Sequence, residues 1–326
     1  MSENQRVVLF LSGIVIIYIL SAGIVVRTIV HKRNRTPRSL SPLRRWTERT
    51  ILLVALSGLL CMAYGYFVEP YWPAVTRVQI LSANLPPGSS PIRIAHISDL
   101  HSDPAPRLEE RLSDIIAAEK PDLIVFTGDA INSPDGLPVM QRCLSRLAAI
   151  APTFAVKGNW DAWYWGRLNL FEGTGVQELN GAAREVKVGS SSIWVAGVGV
   201  ENEDRISQAF RSIPERACTL FLYHYPDLIL EMAERPVDLY CAGHTHGGQI
   251  ALPFYGALIT FSKFGKRYES GLYRVKKTWM YVNRGIGMEG GSVPRVRFCA
   301  RPEITVIDLH PEEKRVSRSS FRVSHF

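Results

Sequence analysis

Two long apolar stretches, followed by shorter apolar runs set between polar ones, divide this chain. Residues Val7 to Val26 carry no charge over 20 positions, and Ile51 to Val68 carry none over 18. Runs of that length suit helices crossing about 30 Å of hydrocarbon, so they predict membrane spans over 7–30 and 51–68. The first run is too long for the apolar core of a cleaved signal peptide, and Arg6 is the one basic residue before it, which predicts a retained anchor. The competing reading is a pair of buried core helices. Residues 69–91 contain Pro70, Pro73, Pro86, Pro87 and Pro91 around the strand-like run Val75 to Leu81, and read as a linker with an edge strand.

From Ile92 the period changes. Ile92 to Ser98 is a short, mostly apolar run, Leu108 to Glu119 has helical spacing, and Asp122 to Thr127 is a second apolar run. Strand, helix, strand in that order predicts a parallel α/β sheet. The rhythm continues with a helix over Val139 to Ile150 and a strand over Thr153 to Val156. A hairpin follows (Val186 to Val188 with Ile193 to Gly197), then strands over Cys218 to Tyr223 and Asp238 to Ala242. The later runs Gly271 to Val275, Thr278 to Val282 and Glu303 to Leu309 read as antiparallel. A domain over 92–310 and a polar tail over 311–326 complete the expected organisation.

Charge sharpens the membrane reading. Between the spans, Arg27, Lys32, Arg33, Arg35, Arg38, Arg44, Arg45 and Arg49 face one acid, Glu48, giving +7 of the chain's formal +8. The rest is nearly neutral, which excludes a broad nucleic-acid-binding surface. Basic residues in short loops stay cytoplasmic, so the connector is expected inside and the catalytic domain outside, on a multi-pass protein of the inner or plasma membrane. Cys61, Cys143, Cys218, Cys241 and Cys299 follow no paired spacing and read as small apolar residues.

The chemistry collects after the strands, where open α/β sheets place their ligands. There the chain puts Asp99 and His101, Asp129, Asn159, His224, and finally His244 and His246 within Gly243-His244-Thr245-His246-Gly247-Gly248-Gln249. In an extended segment, two residues separated by one share a face, so both imidazoles are expected to aim at one polar centre. Each residue alone has a plain reading, the Asp as a helix cap and the His as locally paired. Together, seven oxygen and imidazole donors without thiolate suit a pair of divalent ions such as Mn, Fe or Zn. No side-chain nucleophile is then needed, and the chain has neither a GxSxG elbow nor a Walker loop.

The order DxH, GD, GNxD, a lone His and GHxH resembles the calcineurin-like metallophosphoesterase superfamily over roughly Ile92 to Leu309. The GHTHGGQ form, with Asn283-Arg284-Gly285 and Arg301-Pro302-Glu303-Ile304, resembles its membrane-anchored bacterial branch. The resemblance implies a four-layer sandwich of two mixed sheets flanked by helices, preceded here by the two spans. It also implies that Asp99, His101, Asp129 and His246 hold one ion, while Asp129 bridges to a second held by Asn159, His224 and His244. A hydroxide between the ions is the implied nucleophile, with Asp129, Asn159 and His244 central to catalysis.

One position departs from that pattern. Most members read GNHD in the third motif, and here Trp160 stands in place of the His. Indole donates a hydrogen bond but delivers no proton at physiological pH, so acidic leaving groups are expected to be favoured. His96 and Asp103 are the substitutes weighed as proton donors. Trp160 and Arg284 are the expected substrate contacts, with Arg301 weighed beside Arg284 either as a phosphate grip or as a partner of carboxylates. Trp160, Trp163, Tyr164 and Trp165 read either as a wall for a substrate or as a helix packed on the sheet. The expected activity is a phosphodiesterase or pyrophosphatase acting on lipid- or nucleotide-linked phosphate beside the bilayer, with manganese as a candidate cofactor. The alternatives are a UDP-2,3-diacylglucosamine pyrophosphatase of lipid A synthesis, which needs the opposite topology, and a metal-binding scaffold without activity.

Overall fold

The computed structural model describes residues 2–290 and 295–312, which leaves most of the expected polar tail outside the described residues. Successive residues of the short apolar runs are buried against opposite faces, and that alternation builds four layers. In β2 (Ile92–Ile97) and β3 (Leu123–Phe126), Ile92, Ile94, Leu123 and Val125 face one way, while Ala95, Ile97, Ile124 and Phe126 face the other. The first set meets Ile193, Val195, Leu220, Leu222, Leu239 and Cys241 of a second sheet. The second set packs under α3 (Glu109–Glu119) and α4 (Leu137–Ala148), through Leu112, Ile116, Met140 and Leu144. A period of two with both faces buried is what a sheet covered on both sides requires.

The first sheet has the order β1-β14-β2-β3-β4-β5, where β1 is Ala74–Ser82, β4 Thr153–Ala155, β5 Gln177–Glu178 and β14 Glu303–Pro311. The second has the order β12-β13-β9-β8-β7-β6, from β6 (Ala182–Val188), β7 (Ser191–Gly197), β8 (Thr219–Leu222), β9 (Leu239–Ala242), β12 (Gly271–Val275) and β13 (Thr278–Val282). Its outer face carries Phe221, Tyr240 and Met280 against α6 (Ile206–Phe210) and α7 (Ile229–Met232). The short α5 (Asn159–Trp163) and the hairpin of β10 (Ala251–Leu252) and β11 (Gly256–Ala257) lie outside these layers.

Strand directions correct one expectation. β13 is antiparallel to β12 but parallel to β9, and β14 is antiparallel to β2 but parallel to β1. Both late strands therefore sit inside mixed sheets. β1, from the proline-rich stretch, forms the edge of the first sheet along nine residue pairs.

The apolar runs form α1 (Glu3–Arg33) and α2 (Pro42–Phe67), so most of the basic connector is helix and only 34–41 links the two. Arg38 chelates Glu48 with two contacts of 2.7 Å at that end. Only 11% of each apolar window is buried, which corrects the buried-core alternative. Exposed apolar surface on this scale marks a membrane-associated segment. The helices also touch the folded domain. The Glu3 carboxylate accepts from Thr260 N and Oγ1, Arg297 N donates to Gly65 O at 2.9 Å, and buried Glu69 accepts from Cys299 N and Ala300 N. Cys143, Cys218 and Cys241 are buried as expected, whereas Cys299 is exposed.

Asp238 joins the two sheets, accepting from Ser82 Oγ (2.6 Å), Asn84 Nδ2 (3.1 Å) and Thr219 N (2.9 Å). Asp238→Ala leaves these donors unpaired and is expected to cost about 1–3 kcal/mol. The check is a lowered thermal midpoint of the full chain in detergent with its metal content unchanged, since Asp238 precedes β9 whereas the polar loops follow it.

Candidate metal centre

Every predicted donor follows shortly after a strand end, and the backbone there is unusual. Asp99 (φ 50°), His101 (φ 40°), Asp129 (φ 57°), His244 (φ 71°) and His246 (φ 51°) all adopt left-handed conformations that side-chain-bearing residues rarely take. The turns throw these side chains sideways into one space between the strand ends. Two glycines make room for them. A Cβ on Gly243 would collide with Ser98 Oγ and Asp99 Oδ2, and one on Gly158 would collide with Asp129 Oδ1.

The donors fall into two adjacent groups, Asp99, His101 and His246, and Asp129, His224 and His244, with the donor atoms of each within 4.8 Å of one another. The two groups interlock. Asp129 Oδ2 is 3.5 Å from His101 Nε2 and 3.2 Å from His224 Nε2, and Asp99 Oδ1 is 3.4 Å from His246 Nε2 and 3.9 Å from His224 Nε2. Asn159 is 96% buried at the start of α5, beside Trp160, whose backbone N donates to Asp129 Oδ1 at 2.9 Å. The structure thus brings all seven predicted residues to one region. It corrects one detail: His244 and His246 sit in a turn, not an extended segment.

The residues fit a pair of cations. Both ring nitrogens of His101 and Asn159 Oδ1 are buried without a hydrogen-bond partner, an arrangement that natural interiors otherwise avoid. His224 Nδ1 lies 2.6 Å from Thr127 O, which holds the proton on that nitrogen and turns Nε2 toward the centre. His244 Nε2 faces Phe261 O at 3.4 Å in the same way, leaving Nδ1 turned away from that contact.

Electrostatics divide the set. Burial pushes His101 down to about 4 and His244 to about 3, and takes His246 well below its ordinary value, so these imidazoles are neutral. Burial also raises Asp99, to about 7. For Asp129 burial acts upward, but the facing His224 outweighs it and holds the carboxyl at about 2. Burial likewise opposes the charge on His224, and the Asp129 carboxylate overcomes it, lifting the imidazole to about 9.

Several supporting residues were not singled out from the sequence. Asp161 Oδ2 accepts from Asp129 N (2.8 Å) and Gly158 N (2.9 Å), and Oδ1 from Ala130 N (2.9 Å), so the last residue of GNxD locks two donor loops together. Its place in the motif was the available signal. Arg297 is fully buried, donates to the carbonyls of Ala300, Arg284 and Gly287, and lies 3.3 Å from His246 Nδ1. Nothing in its local sequence marks it. Asn132 Nδ2 donates to His101 O at 2.8 Å.

Other expected site residues are placed differently. Arg284 pairs with Glu303 at 3.1 Å, and Arg301 donates to Trp72 O and Pro73 O and stacks on Trp72, so both have carboxylate or carbonyl partners. His96 is buried in β2, bonded to Thr127, and pushed by burial to about 3. Asp103 is held by Arg107 and Arg295. Neither is available as a proton donor. The Trp160 ring meets His101 edge-on at 5.2 Å, and burial raises the carboxyl of nearby Glu289. Trp163 and Tyr164 are exposed, and Trp165 donates to Ile131 O.

Two helix-flanked mixed sheets with paired carboxylate and imidazole groups at their strand ends define a metal-dependent hydrolase of the layered α/β class. Residues 92–248 match the family described as Calcineurin-like phosphoesterase. The chain is 36% identical to the uncharacterized metallophosphoesterase YkuE of Bacillus subtilis over 76% of its own length and 89% of that protein, and it belongs to this family. It is 30% identical to the phosphodiesterase YaeI of Escherichia coli, over 82% of this chain and 98% of that one. It is also 28% identical to the UDP-2,3-diacylglucosamine pyrophosphatase LpxG of Chlamydia trachomatis, over 79% and 95%. The family is dinuclear and metal-dependent, and its members are hydrolases.

Because the Asp129 carboxylate lifts His224 and burial lifts Asp99, metal uptake is expected to displace protons. Calorimetry of Mn²⁺ binding in buffers of different ionisation enthalpy is expected to show about one to two protons released per chain at pH 7, with apparent affinity rising about tenfold or more per pH unit from pH 7 toward 9. Affinity independent of pH would contradict this electrostatic account.

Proposed function

We propose that the protein is a membrane-anchored phosphodiesterase or pyrophosphatase in which Asp99, His101, Asp129 and His246 hold one divalent ion and Asp129, Asn159, His224 and His244 hold a second. The observation that carries this reading is the set of buried, unpartnered donors around Asp129, which costs stability unless cations occupy the centre. When bound, two such ions supply a hydroxide near neutral pH and neutralise phosphate oxygens. Manganese, iron and zinc all suit oxygen and imidazole donors.

The chain's own residues set what the centre accepts. Asp161 fixes the Asp129 and Gly158 loops, so the bridging carboxylate keeps its orientation. Trp160 offers a ring beside His101 and no titratable proton. With Arg284 engaged by Glu303, a substrate's phosphate depends on the cations for charge neutralisation, and its organic part meets Trp160. Leaving groups that need no protonation are therefore favoured, as in pyrophosphates and acidic diesters.

α1 and α2 support a double-span anchor with the basic end cytoplasmic and the catalytic domain outside. Tethering raises the effective concentration of lipid-linked phosphates at the centre. The likeness to LpxG favours a second reading, hydrolysis of UDP-2,3-diacylglucosamine, which requires the domain on the cytoplasmic face.

Asp129→Ala is expected to abolish Mn²⁺-dependent hydrolysis of bis(p-nitrophenyl) phosphate, and retention of full activity would refute the site. On aryl phosphodiesters, turnover is expected to fall about 10²-fold or more between nitrophenol and alkyl leaving groups. A flat dependence would mean that another acid operates, and Glu289, whose carboxyl burial raises, is the residue to substitute.

A further inference from the structure

The β10–β11 hairpin carries a feature that neither the core nor the metal centre explains. Its turn puts Phe254 at the tip, 112% exposed, with a left-handed backbone (φ 63°) that a bulky side chain adopts only at a cost. A few residues on, Phe261 is 49% exposed and also left-handed (φ 55°), and Tyr255 is 45% exposed. Strain and apolar exposure at adjacent positions persist where a second apolar phase takes up the rings.

The anchor helices locate that phase. Arg6 Nη1 donates to Tyr255 Oη at 3.1 Å, and Glu3 accepts from Thr260, so the hairpin sits level with the last charged residues before the Val7 to Val26 run. On the other helix, Tyr64 packs edge-on against Phe298 at 6.2 Å and Gly65 O accepts from Arg297. Both residues lie inside the second uncharged run, so these loops reach the edge of the hydrocarbon. Lys266 stands 4.0 Å over the Tyr255 ring, with Lys263 and Arg267 close by in sequence and exposed, the arrangement of aromatics and cations that lines membrane interfaces. Phe261 links this surface to the metal centre, because its carbonyl faces His244 Nε2 at 3.4 Å.

We propose that the β10–β11 tip and Phe261 form a lipid-docking surface that seats in the bilayer beside α1 and α2 and opens the metal centre toward membrane-borne phosphate. The occupant is the lipid surface itself, because the surface is continuous with the two helices that enter it. The proposal rests on the spanning reading of α1 and α2.

The test uses the full chain reconstituted in vesicles of phosphatidylethanolamine and phosphatidylglycerol. The photoreactive residue p-benzoylphenylalanine replaces Phe254, Phe261, Ile16 or Ser190 in turn, and lipid adducts are read by mass spectrometry. Ile16 reports on the span, being 56% exposed within α1. Ser190 precedes β7 and so lies at the opposite end of the parallel β7, β8 and β9 from the His224 and His244 loops. Lipid adducts at 254 and 261 matching those at 16, and at least an order of magnitude above 190, are the expected result. Adducts at 16 without any at 254 and 261 would overturn the docking surface and leave the anchor standing. No adduct at 16 would overturn both, and an adduct from 254 to a protein chain would assign the tip to a protein partner instead. The readout does not depend on turnover, so a failure of the proposed hydrolysis leaves its meaning unchanged.

Discussion

The Asp129 carboxylate is the contact on which the architecture turns. It is 98% buried, stands 3.2 Å from His224 and 3.5 Å from His101, and accepts from Trp160 N. A buried carboxylate of this kind is stable only when its charge is answered locally. Without cations, His224 answers it by keeping a proton. Cations held here would take over that role and would give the unpartnered His101 nitrogens and Asn159 Oδ1 a partner. The same geometry therefore explains both the apparent frustration of the centre and its chemistry.

Holding such a group demands rigidity from loops, which ordinarily have little. The chain obtains it by pinning loop to loop. Asp161 grips the backbone at 129, 130 and 158, Asn132 grips His101 O, and Arg297 ties the carbonyls at 284, 287 and 300 together beside His246. Arg297 also donates through its own backbone to Gly65 on α2. The membrane anchor is thus built into the frame of the site.

Much of this was legible in the sequence because local signals and final positions coincide. Each donor follows an apolar run, so Asp99, Asp129, His224 and His244 could be placed at strand ends by period alone, and the family resemblance grouped them. What escaped depends on long-range contacts or on backbone geometry. The pairing of β1 with β14 joins residues more than two hundred positions apart, and no local pattern announces its direction. The left-handed turns that send His244 and His246 to different groups contradict the extended reading, which assumed a strand where the chain turns. Arg297, in a basic and weakly patterned stretch, gave no sign that it would be fully buried. Arg284 could be read for a phosphate or for a carboxylate, and the Glu303 beside it comes from a strand that no local pattern places there.

The proposed chemistry requires two cations in interlocking sites that share Asp129. Anomalous diffraction from Mn²⁺-loaded crystals measures this directly. It should show a pair of peaks, one among Asp99, His101 and His246 and one among Asn159, His224 and His244, with the Asp129 carboxylate between them. A single peak, or peaks away from these residues, would contradict it.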